Sequence, residues 1–323
     1  MRIVRVRAFG PPEVLRVEES ETPRPGAGQV RVAVEVAGVG FGETIVRSGR
    51  YPLPLPYEPG IEVGGRVVEL GAGADPTLMG RRVVATTLGN AGGYAESALA
   101  EAGFAFAVPD ELSLDQAITV FQTGAVSLGM LSAMRVRAGE TVLVTAAAGR
   151  IGTVLVQLAR AAGARVIGAV GSADKAAIVR ELGASFVADY GSPGWSEQVR
   201  KATEGRGVDV ALDAIGGTVG AQTLEAAADG HGRIGLYGYA SGTWTPLDTP
   251  TVVRRGLTVS GPLSATFAKP LDEQRADAEE ALRAAAKGVV RTLVHATLPL
   301  ADAARAHAVL ESRESVGAVL LKP

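Results

Sequence analysis

The chain of 323 residues contains no cysteine. That one gap removes disulfides, thiolate zinc ligands and a cysteine nucleophile together. Histidine is nearly as scarce: His231, His295 and His307 are the only three. All lie in the second half, which argues against a His-rich metal site, and each reads as a surface or packing residue. Neither sign of charge is in excess, with 32 Lys and Arg against 34 Asp and Glu. With no long basic run, nucleic acid is not expected as a partner. A G-x-S-x-G elbow is missing too, so a Ser–His–Asp hydrolase has no site for its nucleophile. No apolar run is long enough to span a bilayer, and Met1 to Arg7 alternates instead of forming an apolar block. Neither a membrane span nor a signal peptide is expected, and the cytoplasm is the expected compartment.

What is present suits a large globular protein. Hydrophobic residues make up 47% of the chain and charged ones 20%, enough for sizeable cores in two domains. The most informative stretch runs from Thr141 to Arg160, a buried apolar strand that passes through a turn of small residues into a helix. Ala147, Gly149 and Gly152 are spaced A-x-G-x-x-G. Small residues there let the backbone turn sharply, approach a pyrophosphate and pack closely on the strand. The N–H groups opening the helix at Arg150, Ile151 and Gly152 then meet the phosphate charge.

Strands and helices alternate after this motif. Strands are expected at Arg165–Val170, Phe186–Ala188, Val208–Ala214, Arg233–Gly238 and Leu257–Ser260, with helices at Ala173–Leu182, Trp195–Thr203 and Val219–Ala228. The spacing predicts an α/β domain with a doubly wound parallel sheet covered on both faces. An NAD-type site usually carries an acid about twenty residues past the glycines, to accept the ribose 2′-hydroxyl. Gly171 stands there instead, followed by Ser172 and Lys175, which offer a hydroxyl and an ammonium to a 2′-phosphate. That exchange favours NADPH over NADH. The alternatives are that Asp174 meets the ribose after a slip of one turn and that Lys175 is a solvated helix residue. Tyr190 either lines the adenosine end or caps the sheet.

The first part of the chain alternates with period two at Val4–Ala8, Val14–Val17, Val30–Val36, Gly64–Leu70, Arg82–Ala85 and Phe104–Val108, broken by Gly- and Pro-rich turns. This predicts an antiparallel, barrel-like β domain. Helices over Leu114–Phe121 and Gly124–Met134 lead into the nucleotide domain. Beyond Pro262 a helix at Asp272–Gly288, a strand at Val290–Ala296, a helix at Ala301–Ser312 and a strand at Gly317–Leu321 are expected to return to the first domain. The expected division is 1–120, 121–261 and 262–323.

Several stretches together resemble the zinc-free medium-chain dehydrogenases/reductases, in the quinone oxidoreductase branch that includes the ζ-crystallin-like enzymes. They are Gly10–Leu15, Arg47–Pro52, Pro59–Gly65, Gly80–Val83, Gly93–Glu96, Thr145–Gly149, Asp213–Gly216 and Ala306–Arg313. The resemblance implies a GroES-like catalytic domain, a Rossmann cofactor domain, a cleft between them and a homodimer joined through the cofactor domains. Zinc-dependent relatives place a catalytic Cys near position 40 and a Gly-His-Glu where this chain has Gly60, Ile61 and Glu62. With Cys and His both gone, metal-assisted alcohol oxidation is not expected.

The resemblance also suggests site residues. Tyr51 is the candidate to hydrogen-bond or protonate the substrate oxygen, its alternative being an aromatic packed beside the loop Pro52–Pro56. Gly40 faces the nicotinamide end in a place where quinone oxidoreductases usually carry Asn. Tyr237, Gly238 and Ser241 match the loop that approaches the nicotinamide or ribose, and Arg313 matches an arginine that reaches the cofactor phosphates. Val126 stands where a Thr is common, with Thr123 and Ser127 near enough to replace it. Glu43 is either catalytic or the partner of Arg47 one helical turn on. Thr145 contributes mainly backbone geometry. The expected function is NADPH-dependent reduction of a quinone. The alternatives are reduction of an activated C=C bond, in an enone or enoyl thioester, and NADPH binding without turnover.

Overall fold

Alternating apolar and polar residues in the first hundred positions fold as antiparallel strands with one buried face, while the continuous apolar runs further on become strands covered on both faces. The computed structural model describes every residue, Met1–Pro323. One compact unit comprises Met1–Gln122 with Thr292–Pro323, and the other Thr123–Arg291.

In the first unit β1 (Arg2–Val6) and β2 (Leu15–Glu19) form an antiparallel ribbon. Next come β3 (Gln29–Val39), α1 (Phe41–Arg47), β4 (Glu62–Leu70), β5 (Arg82–Thr87) and β6 (Ser97–Ala107). Strand β3 pairs with both β4 and β6, and β5 joins those two. The ring therefore closes and leaves little open edge. Val30, Val32, Val63, Val83 and Ala100 fill its interior.

Helix α2 (Leu114–Ala133) is continuous, where two helices were expected. Gly124 lies at its middle without the positive φ that would end a helix there, and one internal glycine costs only about 1 kcal/mol.

The second unit contains β7 (Thr141–Val144), α3 (Arg150–Ala161), β8 (Arg165–Val170), α4 (Ala176–Glu181), β9 (Phe186–Asp189), α5 (Trp195–Ala202) and β10 (Val210–Asp213). It continues with α6 (Gly217–Ala226), β11 (Arg233–Leu236), α7 (Thr249–Arg254), β12 (Thr258–Ser260), α8 (Pro262–Phe267) and α9 (Leu271–Ala286). All neighbouring strands are parallel, in the order β12-β11-β10-β7-β8-β9. The chain leaves β7 in one direction and later crosses to β10 on the other side. The carboxyl ends of those two strands are thus the switch point at which such sheets hold ligands. Helices α1, α7 and α8 have no counterpart in the sequence expectations. At six or seven residues each, they are too short to display helical periodicity.

The second unit ends at Arg291, thirty residues beyond the boundary expected at 261. Helix α9 buries Ala278, Ala281 and Leu282, and the Gln157 amide binds the Arg291 backbone in both directions. Its Nε2 donates to the carbonyl at 3.0 Å, and its Oε1 accepts from the N–H at 2.7 Å. These bonds hold the segment to α3. The chain then returns to the first unit as β13 (Val294–Pro299), α10 (Ala303–Glu311) and β14 (Ala318–Lys322). Strand β14 lies antiparallel to the far end of β3 and parallel to β13.

Candidate active site

Strand β7 is buried along its whole length and delivers the chain to the turn Thr145–Gly149. Ala146 takes a left-handed φ of 49° there, unusual for a residue with a Cβ. The turn is closed by Gly149 N–H donating to the Ala146 carbonyl at 2.8 Å, and fixed to β8 by Ala147 N–H donating to the Ala169 carbonyl at 3.0 Å. Gly149 caps α3 without a side chain, so the first N–H groups, on Arg150, Ile151 and Gly152, point out of the helix end with no intrahelical acceptor. A Cβ on Gly152 would lie 2.1 Å from the Ala146 oxygen. Only glycine lets α3 sit this close to the turn.

At the end of β8, Gly171 lies against Tyr190, whose hydroxyl oxygen would be 3.1 Å from an added Cβ. Tyr190 is itself held by its N–H to the Val170 carbonyl at 2.9 Å, with its ring edge-on to Trp195. Ser172 is extended and its hydroxyl makes no cap to the 3-10 turn Ala173–Lys175 that follows. Strands β7, β8 and β9 are consecutive neighbours. The fold therefore gathers Ala147, Gly149–Gly152, Gly171, Ser172, Lys175 and Tyr190 at one end of one sheet.

On the other side of the switch point the Asp213 carboxylate is fully buried and fully used. Oδ1 accepts from the Thr145 hydroxyl at 2.9 Å and Ile215 N–H at 3.1 Å, while Oδ2 accepts from Gly216 N–H at 3.0 Å and the Thr245 hydroxyl at 2.9 Å. The Thr145 hydroxyl also accepts from Ala214 N–H at 2.9 Å. Thr145 thus works through its side chain and not only its backbone, a correction that follows from its position one strand away from Asp213. Tyr237 N–H donates to the Asp213 carbonyl at 2.9 Å. Burial first, then the Asp213 charge and Tyr190, raise the Tyr237 phenol well above its ordinary value. Gly238 crosses close to Ala214, whose oxygen would be 2.6 Å from a Cβ. Ser241 N–H donates to the Ile215 carbonyl at 2.8 Å.

Gly40, Tyr51 and Arg313 belong to the first unit. Gly40 is extended at the N-terminal cap of α1 and has room for a side chain, since a Cβ would meet nothing closer than Glu43 Oε2 at 3.4 Å. Tyr51, just past α1, is 62% exposed. Arg313 is exposed, with a left-handed φ of 61° just after α10.

Glu43 and Arg47 each bind groups other than the i, i+4 partner that the sequence suggested. Arg47 donates to the Gly10 carbonyl at 2.6 Å and forms an ion pair with Glu311. The Glu43 carboxylate accepts from Gly40 N–H at 2.7 Å, Gly60 N–H at 2.6 Å and the Tyr94 hydroxyl at 2.8 Å. The backbone reaches Glu43 first because α1 begins where β3 and β4 separate. Asp213 and Glu43 are the two groups that sequence reasoning undervalued. An acid at the end of the apolar run Val210–Leu212 was the available signal for the first.

Two family models match the chain, the alcohol dehydrogenase GroES-like domain over residues 26–110 and the zinc-binding dehydrogenase domain over residues 151–287. A quinone oxidoreductase of Pseudomonas aeruginosa is 33% identical over 324 residues, covering 99% of both chains. The chain belongs to the quinone oxidoreductase branch of the medium-chain dehydrogenase/reductase superfamily. Other members of this superfamily are equally similar. A 2-haloacrylate reductase from a Burkholderia species is 33% identical over 97% of this chain and 96% of its own. The crystal structure of Escherichia coli quinone oxidoreductase, complexed with NADPH, superposes with a TM-score of 0.93 at 30% identity over the full length of both chains. Zinc, named in one family description, lacks a donor set: cysteine is absent and no three His, Asp or Glu side chains are grouped. A dinucleotide does fit, because the glycine-lined turn and the uncapped start of α3 leave backbone room and N–H groups for a pyrophosphate.

Proposed function

We propose that the chain is an NADPH-dependent reductase that delivers a hydride to a quinone at a site without metal. The observation that carries this reading is the cluster at the end of β7, β8 and β9. It combines the turn Ala147–Gly152 for the pyrophosphate with Gly171, Ser172 and Lys175 where an acid selective for NADH would stand. The relative crystallised with NADPH supports the same cofactor. When bound, NADPH supplies a hydride from nicotinamide C4. The protein's own share is to hold the cofactor through α3, Tyr190 and Lys175, to keep the loops around Asp213 rigid, and to offer the exposed Tyr51 hydroxyl to the acceptor oxygen. Gly40 adds no side chain where relatives usually carry an amide, which leaves more room for an acceptor.

The second reading, reduction of an activated C=C bond, is favoured by the equally similar 2-haloacrylate reductase and by that missing side chain. The chain is further assigned as a cytoplasmic homodimer without nucleic-acid or membrane partners. The dimer would join through the second unit, where edge strand β12 and the exposed Val253 and Phe267 lie. Light scattering tests that assembly. Oxidation of NADPH and of NADH at 340 nm, against simple quinones, alkyl enones and enoyl thioesters with products identified by mass, tests the activity. Hydroquinone formation with NADPH preferred supports the first reading, and saturated products alone support the second. Tight NADPH binding without consumption on any acceptor would make the chain a binding protein.

A further inference from the structure

Strands β3 and β4 run antiparallel with Ala37 opposite Val63 as the last pair of their ladder. Continuing that register by three residues would set Gly40 opposite Gly60. The two backbones do not pair there, because β3 turns to β14, with Val39 opposite Val319, and then enters α1. The gap is bridged by one side chain. Glu43 Oε2 accepts from Gly40 N–H at 2.7 Å and Oε1 from Gly60 N–H at 2.6 Å. Gly60 is locked from its other side: its carbonyl accepts from the Thr87 hydroxyl at 2.7 Å and Gly93 N–H at 2.9 Å. Its φ of 112° and the Gly93–Tyr94 backbone, 2.3 Å from where a Cβ would be, leave no room for another residue.

A buried frame stands behind the carboxylate. The Tyr94 hydroxyl donates to Glu43 at 2.8 Å and lies 3.3 Å from His307 Nε2. Since the Tyr94 proton goes to Glu43, the histidine must donate through Nε2, which leaves Nδ1 bare. Nδ1 is indeed the buried atom without a partner. One turn along α10 from His307, Glu311 holds Arg47 at the far end of α1. Both ends of α1 are therefore fixed from within this unit, and Tyr51 follows directly, its N–H donating to the Ile45 carbonyl at 3.4 Å.

We propose that Glu43 is the positioning residue of the segment Gly40–Tyr51, its carboxylate replacing the missing strand pairing between Gly40 and Gly60. This rests on the reductase reading above only in that Tyr51 is taken to meet the acceptor. Glu43 transfers no proton; it sets where Gly40 and Tyr51 stand.

The test compares Glu43→Gln and Tyr94→Phe with the full-length wild type. The Gln amide keeps the size but has one oxygen, so one backbone bond is lost. Tyr94→Phe keeps both. For Glu43→Gln, kcat for the acceptor should fall by roughly 10- to 100-fold, the scale set by a displacement of about 1 Å at a reacting group. The Kd for NADPH should stay within about twofold, because the cradle of the second unit is untouched. Hydrogen exchange of peptides spanning 40–51 should rise, and that of peptides spanning 141–171 should not. Tyr94→Phe should leave kcat within about threefold, since the backbone bonds remain. Three results would overturn the proposal: unchanged exchange over 40–51, a kcat loss in Glu43→Gln no larger than in Tyr94→Phe, or loss of one limb of the pH profile in Glu43→Gln, which would mean that Glu43 itself carries the proton. A wild type idle on every acceptor would defeat the reductase reading, and the exchange comparison would still decide the role of Glu43.

Discussion

Gly152 and Lys175 carry the two halves of cofactor recognition, closeness and charge. An alanine at 152 would have its Cβ 2.1 Å from the Ala146 oxygen, and backbone cannot move aside cheaply. Gly152→Ala should cost about 1–3 kcal/mol of stability and should weaken NADPH binding at least tenfold, as read by thermal melting and by fluorescence titration. A variant of wild-type affinity would mean that the turn is not the phosphate cradle. Lys175→Ala tests charge alone. A charge-assisted hydrogen bond is worth about 1.5–3 kcal/mol, so KM for NADPH should rise about 10- to 100-fold while KM for NADH stays unchanged. Equal losses with both cofactors would place Lys175 elsewhere than at the 2′-phosphate.

At the scale of elements, two buried acids do similar work in different surroundings. Asp213 ties the ends of β7 and β10 and the loop through Thr245 into one body. Glu43 joins α1 to the segment before β4. In the second case the frame includes His307, fully buried and held neutral. Burial, and then the Arg47 guanidinium, depress its pKa from 6.5 to about 3. Between those values the unfolded chain binds a proton that the folded one refuses, so stability is full above about pH 6.5 and falls as pH drops toward 3. This residue should contribute a slope approaching about 1.4 kcal/mol per pH unit in that window. Denaturant melts at pH 4, 5.5 and 7 should find the slope reduced in His307→Gln. Parallel curves for the two proteins would show that His307 is protonated in the folded state.

For the whole molecule the two units differ in how the chain makes them. The first is discontinuous, completed only when Thr292–Pro323 returns, whereas the second is the unbroken run Thr123–Arg291. That run holds the turn Ala147–Gly152, Lys175, Tyr190 and Tyr237 together with its own parallel sheet and core. Expressed alone, residues 123–291 should fold and bind NADPH, with affinity within about 100-fold of the full chain, and should reduce no acceptor, because Tyr51 and Gly40 are missing. Circular dichroism and titration would check this. A fragment that folds but does not bind would place essential cofactor contacts in the first unit.

Much of this was legible in the residue order. Period-two alternation marked the barrel strands, the A-x-G-x-x-G spacing marked the turn before α3, and the exchange of an acid for Gly171, Ser172 and Lys175 pointed to the phosphorylated cofactor. Each signal is local, since it depends on backbone sterics or on side-chain periodicity within a few residues. Glu43 could not be read that way. The charged neighbour the sequence offers is Arg47, whereas only one of its actual partners, Gly40, is local; the other two are 17 and 51 residues away, backed by a histidine 213 residues beyond Tyr94. Likewise the cut after Arg291 depends on a bond from Gln157, 134 residues earlier. The sequence by itself determined the strands, the turn and the family. Which polar groups would be buried together was decided by the tertiary structure, because a desolvated carboxylate must take every donor that closure of the barrel and sheet brings within reach.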